Sequence, residues 1–368
     1  MKRRCVVWVL AFAACGDGGG QKPDAPTGGS DAPPGDVCSA SDLDACEYPL
    51  QNLTTTQRRV TIMDQSTGRQ LPLLARIPAL PGPLPVFIWS AGGGFYDNAE
   101  DQSAVWGETI ARQGYVVIHI GHVPLTLQTG STICQLAQIP TNECMPPSGD
   151  EDSYVVAVGK AYDEKAVLDK LQVLSDGSVS MGGPALDLGK VAVGGWSGGS
   201  RGPQILMGAR IDTTASAPRF TLEDARVKAV VEMSPAGPTY GGFFDTGTND
   251  SWRTMRGPTL VSTGTNDVKP DKPALTGAIR RIAYTKQPAD GTHRLLYSNL
   301  PVGRGGHGTF NLGDLDSTDP EVARFSRALR SAVVAFLDAN VKGKAEAAAY
   351  LTTDNVKILA GDVDWEKH

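Results

Sequence analysis

One serine of this sequence, set among glycines, has the residue pattern of a nucleophile. Ser197 lies in the stretch GGWSGGS, which fits the pattern G-x-S-x-G and directly follows the apolar residues 191–193. The glycines matter because the serine then occupies a sharp turn between a strand and a helix, where neighbouring side chains would clash. Its hydroxyl would project above the sheet. The pattern predicts a catalytic serine, and a glycine turn whose serine only caps a helix is the alternative.

The histidines decide whether this serine has a base, because a serine hydroxyl is a poor nucleophile until its proton is removed. His307 lies in the glycine-rich stretch VGRGGHGTF, directly after the last predicted strand, residues 293–300. The carboxyl ends of parallel strands share one edge of a sheet, which is where Ser197 would also lie. We therefore expect His307 to be the base. The other histidines are His119, expected in the core or at the edge of the sheet because it lies within an apolar strand, and His122, His293 and His368.

A carboxylate must orient the base and stabilise its protonated form. Asp267 follows the strand predicted at residues 260–263, again at a carboxyl edge. Asp245, Asp250 and Asp271 are nearby alternatives. Asp267 is the closest of the four to the end of the strand, so we expect it to be the third member of the triad.

Two backbone N–H groups would have to stabilise the oxyanion of such a reaction. We expect one from Gly198, directly after the serine, and the other from Gly93, in the loop WSAGGGF that follows the third predicted strand. Gly92 is the rival donor, and a plain glycine turn is the alternative for the whole loop.

The substrate pocket would lie among aromatic residues and one long segment. Residues 123–152 show no clear secondary structure, which predicts either a functional loop or a surface insertion held by a disulfide bond. Aromatic side chains often only pack in the core, which is the alternative here. The four aromatic candidates are Trp89, Phe95, Tyr96 and Trp196.

The elements that must position these groups alternate between strand and helix. Apolar runs predict buried strands, and residues with helical spacing separate them. This alternation predicts the α/β class, with a mostly parallel central sheet of about eight strands and helices on both faces. Strands are predicted at or within residues 60–63, 71–77, 81–94, 114–121, 191–194, 227–235, 257–267 and 293–300, and helices at residues 104–113, 154–174, 204–209, 274–284 and 320–340.

Composition and charge exclude several classes of protein. With 368 residues, of which 40% are hydrophobic and 20% charged, the chain can form a substantial core and is neither disordered nor fibrous. The formal net charge of −6 is a poor match for a nucleic-acid partner.

The first fifteen residues predict export and attachment to a lipid. Basic residues 2–4 precede a short apolar run, and the run ends in FAAC at Cys15, which resembles a bacterial lipobox. Residues 16–37 form a polar tether rich in Gly, Pro and Asp, and residues 38–368 are expected to form a single catalytic domain. Gly16 favours the outer membrane of the cell envelope by analogy with other lipoproteins. An ordinary secretory signal, followed by release, is the alternative.

Export would allow the cysteines to form disulfide bonds. Cys5 lies in the signal and Cys15 at the proposed lipid site. The other four are Cys38, Cys46, Cys134 and Cys144. Sequence proximity alone predicts that the first two pair and the last two pair, among three possible connectivities. A metal site is disfavoured because the sequence contains no C-x-x-C pattern.

In combination, these stretches resemble the α/β hydrolase superfamily. The narrower resemblance is to relatives of dienelactone hydrolase and platelet-activating-factor acetylhydrolase, which include bacterial polyester hydrolases. It spans residues 60–351 and rests on PVFIWSAGGG, ARQGYVVIHIGH, GGWSGGS, DARVKAVVEMSPAG, SWRTMRGPTLVSTGTND, GGHGTFNLGD and FLDANVKGKAEAAAYL. The order serine, acid, histidine along the chain is also that of the superfamily. Ala91 and Trp196 stand where these relatives often have histidine, which bears on the choice of substrate.

The resemblance implies hydrolysis of carboxylic esters through an acyl-enzyme, with no metal or organic cofactor. The expected partners are a small-molecule or polymeric ester and a membrane, the latter reached through the lipid anchor. Two alternatives stay open. One is a peptidase or amidase of the same fold, and the other is a non-catalytic binding protein built on a hydrolase scaffold.

Overall fold

A nine-stranded sheet forms the centre of the computed structural model, which describes residues 38–145, 152–211, 220–245 and 250–368. The strands are β1 (Thr55–Met63), β2 (Gln70–Pro78), β3 (Leu84–Ser90), β4 (Val116–Ile120), β5 (Leu186–Trp196), β6 (Val227–Met233), β7 (Thr259–Gly264), β8 (His293–Ser298) and β9 (Val363–Lys367). Their order is β1-β2-β4-β3-β5-β6-β7-β8-β9. Strands β3 to β8 run parallel, whereas β1, β2 and β9 pair antiparallel at the two sides. The α/β class and the mostly parallel sheet are therefore confirmed.

The central strands are apolar on both faces because helices cover both faces. In β3 every residue is buried, and successive side chains enter different layers. Val86 and Ile88 join the layer formed with α4, whereas Phe87 and Trp89 join the layer formed with α7. The helices are α1 (Ala104–Ala111), α2 (Leu127–Leu136), α3 (Thr141–Cys144), α4 (Tyr154–Asp176), α5 (Arg201–Leu206), α6 (Gly277–Thr285), α7 (Pro320–Asn340), α8 (Ala345–Tyr350) and α9 (Asn355–Ala360). Continuous apolar runs in the sequence are thus explained by burial on both faces.

Two expectations about the elements were wrong. The segment 123–152 contains α2 and α3. These helices were not predicted because both are short and polar and because Pro140 lies between them. The strand at residues 293–300 is not the last, because β9 pairs with it. Strand β9 is half-exposed at the edge of the sheet and is held by Arg281, which forms ion pairs with Asp364 and Glu366. A strand stabilised by charges from a distant helix carries little hydrophobic signal of its own.

Both predicted disulfide bonds are present. Cys38 is bonded to Cys46 just before β1, with a Cα–Cα distance of 4.5 Å. Cys134 is bonded to Cys144, which joins α2 to α3 with a Cα–Cα distance of 5.8 Å. The second bond therefore fixes these two helices to each other.

The N-terminal predictions concern residues that the structure does not describe. The signal, Cys15 and the tether 16–37 all lie outside the described ranges. Among the residues that are described, no helix has both the length and the hydropathy needed to cross a membrane.

Candidate active site

The sheet brings the three predicted triad residues to one edge. Strand β5 ends one residue before Ser197, β7 ends three residues before Asp267, and the loop after β8 carries His307. All three strands are parallel, so their carboxyl ends meet on the same side of the sheet.

Ser197 lies in a strained turn between β5 and a short 3-10 helix, Ser197–Ser200, which leads into α5. Its φ angle is +54°, in the left-handed region that residues other than glycine seldom adopt. The surrounding glycines are required by close approach of backbones. A Cβ atom on Gly199 would clash with the carbonyl oxygens of Ser90 and Ala91, and one on Gly195 would clash with Gly199 itself. The turn can form only with glycine at these positions.

The three side chains form a continuous hydrogen-bonded line. His307 Nε2 lies 2.9 Å from Ser197 Oγ, and His307 Nδ1 lies 2.7 Å from Asp267 Oδ1. A carboxylate can only accept, so Nδ1 carries the proton and Nε2 presents its lone pair to the serine hydroxyl. Asp267 is fully buried, whereas the histidine side chain keeps 10% of its surface exposed. The arrangement can therefore accept a proton from Ser197 at a point that solvent and a substrate can reach.

Three further groups hold Asp267 in place, and none of them was predicted from the sequence. Thr263 Oγ1 donates to Oδ2 at 2.7 Å, and Ser234 Oγ donates to Oδ1 at 2.8 Å. Arg280 Nε lies 3.2 Å from Oδ1 and forms a buried ion pair. Burial lowers the pKa of Arg280, and the charge of Asp267 opposes this. The position of Ser234 directly after β6 is the one signal in the sequence that would have pointed to it.

The rival aspartates are engaged elsewhere. Asp271 forms an ion pair with Lys269. Asp245 and Asp250 both interact with Lys286, at 2.8 and 3.8 Å. Among the described carboxylates, Asp267 alone reaches His307 Nδ1.

Of the predicted aromatic pocket residues, Trp89 lies away from the site and Trp196 lies against the base. Trp89 is 1% exposed and lies in the core, stacked on Trp106. Trp196 packs on the ring of His307 at 4.8 Å and donates its indole N–H to the carbonyl oxygen of the same residue at 3.1 Å. It therefore supports the histidine loop.

Phe95 and Tyr96 lie in the loop after β3. The Phe95 ring lies under the guanidinium of Arg69, and the Tyr96 N–H donates to the carbonyl oxygen of His122 at 2.9 Å. Burial raises the pKa of Tyr96 to about 12. Both side chains are half-buried, and they fix this loop to the body of the domain.

A small pocket opens at Ser197. Both predicted oxyanion donors, Gly93 and Gly198, line it. The two glycines are in close contact, because a Cβ on Gly198 would lie 2.5 Å from the Gly93 carbonyl oxygen. The φ angle of Gly93 is +67°, so this position also favours glycine. The other lining residues are Asp152, Arg201, Ala236, Lys269, Lys272, Leu275 and Arg280.

Ion pairs organise the charged wall of this pocket. Asp152 pairs with Arg201 at 2.5 Å and also with Lys272. A larger surface groove lies beside α1, and its lining includes Arg76 and Glu108 but none of the triad residues. Of these two, only the smaller pocket is lined by a predicted triad residue, Ser197.

Metal chemistry has no candidate cluster in the described part of the chain. Within those ranges no group of three or more His, Cys, Asp and Glu side chains has an arrangement that could hold a metal ion. The prediction that no cofactor is needed stays a prediction.

Comparison with models of known protein families finds none that matches this chain, and comparison with curated protein sequences finds no match either.

Proposed function

We propose that this chain is a serine hydrolase of the α/β-hydrolase fold, and that it cleaves carboxylic esters. The observation that carries the proposal is the line of hydrogen bonds from Asp267 through His307 to Ser197, at 2.7 and 2.9 Å. The strained turn at Ser197 and the glycine-rich loop opposite it support the same reading, because nucleophilic serines of this class occupy such turns. The mostly parallel sheet supports the choice of superfamily.

The reaction would proceed in two steps. Ser197 Oγ attacks the ester carbonyl carbon while His307 Nε2 takes the hydroxyl proton, and His307 then gives that proton to the departing alkoxide. Water attacks the acyl-enzyme with His307 again as the base, which releases the acid and restores the serine. The N–H groups of Gly93 and Gly198 would stabilise the oxyanion in both steps. No step needs a metal or an organic cofactor.

The place of the protein in the cell is the second part of the proposal. A lipid on Cys15 would hold the domain at the bacterial cell envelope, with residues 16–37 as a flexible tether. The ester partner would then be a small molecule or an exposed polymer chain outside the cytoplasm.

Hydrolysis of p-nitrophenyl acetate by residues 16–368 tests the activity. We expect turnover by the wild type and a loss of at least about 10³-fold in kcat for Ser197→Ala and for His307→Ala, because either change removes a group that reacts. Ser66→Ala and His368→Ala are matched controls, since both residues lie outside the site, and they should keep wild-type turnover.

A fluorophosphonate probe separates the competing functions. Covalent labelling of Ser197 together with ester turnover supports an esterase. Labelling with faster cleavage of a peptide or amide than of an ester would favour a peptidase or amidase. A folded wild type that neither labels nor hydrolyses would favour a non-catalytic binding protein and would overturn the proposal.

A further inference from the structure

A buried group of polar side chains lies beneath the glycine loop that carries Gly93. It is called the loop network here and consists of Arg69, Ser90, His122, Lys160 and Asp163, all at most 3% exposed. Ser90 ends β3 and therefore begins the loop, whereas Lys160 and Asp163 lie on α4. The proposed triad contacts none of the five, so the mechanism does not account for their burial.

Three members form a serine, histidine and aspartate line like that of a catalytic triad, but substrate cannot reach the serine. Ser90 Oγ lies 2.7 Å from His122 Nε2, and His122 Nδ1 lies 2.8 Å from Asp163 Oδ2. Burial, with the nearby charge of Lys160, lowers the pKa of His122 to about 4, so its ring is neutral at neutral pH. Ser90 then donates to Nε2, and Nδ1–H donates to Asp163. Because Ser90 is completely buried, no substrate can reach its hydroxyl, and these contacts serve to orient the end of β3.

Positive charges complete the loop network. Arg69 Nη1 pairs with the other oxygen of Asp163, and Arg69 Nη2 donates to the Val123 carbonyl oxygen at 2.7 Å. Lys160 Nζ donates to the carbonyl oxygen of Ala91 at 2.6 Å, although its side chain is fully buried. Burying an ammonium group is costly unless it has well-placed partners. The Ala91 carbonyl oxygen is one such partner, and the charge of the buried Glu164 acts on the same ammonium.

The contact with Ala91 bears directly on the oxyanion donors. Ala91 precedes Gly93 by two residues, and its carbonyl oxygen also lies against Gly199 in the nucleophile turn. The Gly93 carbonyl oxygen lies against Gly198 in the same way. A shift of the loop would therefore change its contacts with the nucleophile turn that carries Ser197. Oxyanion donors work only within a few tenths of an ångström of their ideal distance.

We infer that Lys160, on α4, is a positioning residue that holds the Gly93 N–H group in the oxyanion hole through its hydrogen bond to Ala91. This inference rests on the proposed esterase function. Lys160 touches no reacting atom, so it should affect the transition state and leave the binding of the ground-state ester nearly unchanged.

The test compares Lys160→Met with Lys165→Met in the purified full-length protein. Lys165 lies on the same helix, is one-third exposed and pairs with Asp169. For Lys160→Met we expect kcat on p-nitrophenyl acetate to fall about 10- to 100-fold, less than the roughly 10²–10³-fold lost when a donor is deleted. KM should stay within about twofold. The affinity for a trifluoromethyl ketone, which forms an oxyanion on Ser197, should fall by the same factor as kcat/KM.

A purely structural role predicts a different pattern. It would lower the melting temperature while the folded fraction kept the wild-type kcat and the wild-type affinity for the ketone, and that result would overturn the inference. If Lys160→Met does not fold, Lys160→Gln keeps a side-chain donor but is too short to reach the Ala91 carbonyl oxygen with the same geometry, and it should still weaken the ketone more than the ester. An unchanged ketone affinity in folded Lys160→Gln would then overturn the inference.

Failure of the inference differs from failure of the proposed function. If the wild type hydrolyses esters and Lys160→Met has the same kcat and the same affinity for the ketone, only the proposed role of Lys160 is wrong. A folded wild type without turnover removes the esterase proposal, and the inference falls with it.

Discussion

At the scale of single residues, Asp267 shows how much a catalytic carboxylate depends on its surroundings. It accepts hydrogen bonds from Thr263, Ser234 and His307, and it pairs with Arg280, so each oxygen has a defined partner. These contacts fix the direction of the carboxylate towards the imidazole. The histidine therefore keeps the tautomer that the reaction needs.

Asp267→Asn should lower kcat on p-nitrophenyl acetate by about 10⁴-fold, the effect seen when the orienting acid of a serine triad becomes an amide. The amide can donate to Nδ1, which favours the tautomer whose Nε2 proton faces Ser197. Asp245→Asn is the matched control, since Asp245 pairs with Lys286 away from the site, and it should keep wild-type turnover. Retention of more than a tenth of the activity by Asp267→Asn would mean that another carboxylate orients the base.

At the scale of elements, the nucleophile turn and the loop after β3 act as one unit. Their backbones touch at Gly198 and Gly199, where any side chain would collide with carbonyl oxygens of residues 90–93. Helix α4 supports this unit from below through the loop network. Strand ends, loop and helix therefore share the task of setting the distance between nucleophile and oxyanion donors.

Gly199→Ala should destabilise the protein by about 1–3 kcal/mol, because the new methyl group forces the backbone of residues 90 and 91 away. Labelling of Ser197 by a fluorophosphonate should slow as well, which competitive labelling against the wild type measures. Gly308→Ala is the control, since a Cβ at Gly308 would meet no atom within 4 Å. Equal melting temperatures and labelling rates for the two variants would contradict the close approach described here.

At the scale of the whole molecule, buried ionisable groups make stability depend on pH. Glu232 on β6 is fully buried, and burial raises its pKa to about 8, although a hydrogen bond from Gln204 Nε2 at 2.7 Å opposes this. In the unfolded chain a glutamate titrates near its ordinary value of about 4.3. Between these two values the folded state binds more protons than the unfolded state, so the free energy of unfolding falls as pH rises through that window.

Glu232→Gln should remove this part of the pH dependence. We expect the wild type to lose stability between about pH 5 and pH 8 relative to the variant, with the difference levelling off above pH 8. Urea unfolding of both proteins at several pH values measures it. Parallel stability curves for the two proteins across that range would show that Glu232 is ionised in the folded state at neutral pH.

The attachment of the protein to a membrane is tested at the N-terminus. In a bacterial host we expect the full-length chain to incorporate labelled palmitate and to sediment with the envelope fraction. Cys15→Ala should abolish both, because the lipid would be carried by this thiol. A Cys5→Ala control, still within the signal, should behave as the wild type. An unlabelled wild type that appears in the medium would instead support an ordinary secretory signal.

Local patterns were enough to predict much of this protein. The alternation of apolar runs and helical spacing predicted the α/β class, because each strand buried on both faces must be apolar throughout. Sequence proximity predicted both disulfide bonds. Glycine patterns and strand ends predicted that Ser197, Asp267 and His307 lie close together, since the carboxyl ends of parallel strands meet at one edge.

Contacts between distant parts of the chain were decided only by the tertiary structure. Arg69 and Asp163 are 94 residues apart, and nothing local in either stretch indicates that they meet. The same holds for Lys160, whose place in an ordinary helix hides a buried contact with the loop after β3. Trp89 was expected near substrate but lies in the core. Side chains of β3 alternate between the two faces of the sheet, and that of Trp89 lies on the face that packs against α7. Strand β9 escaped prediction because it is short and half-exposed, and its pairing partner β8 lies some 65 residues earlier in the chain. Periodicity reports which face is buried, whereas the partner on that face depends on how the whole chain folds.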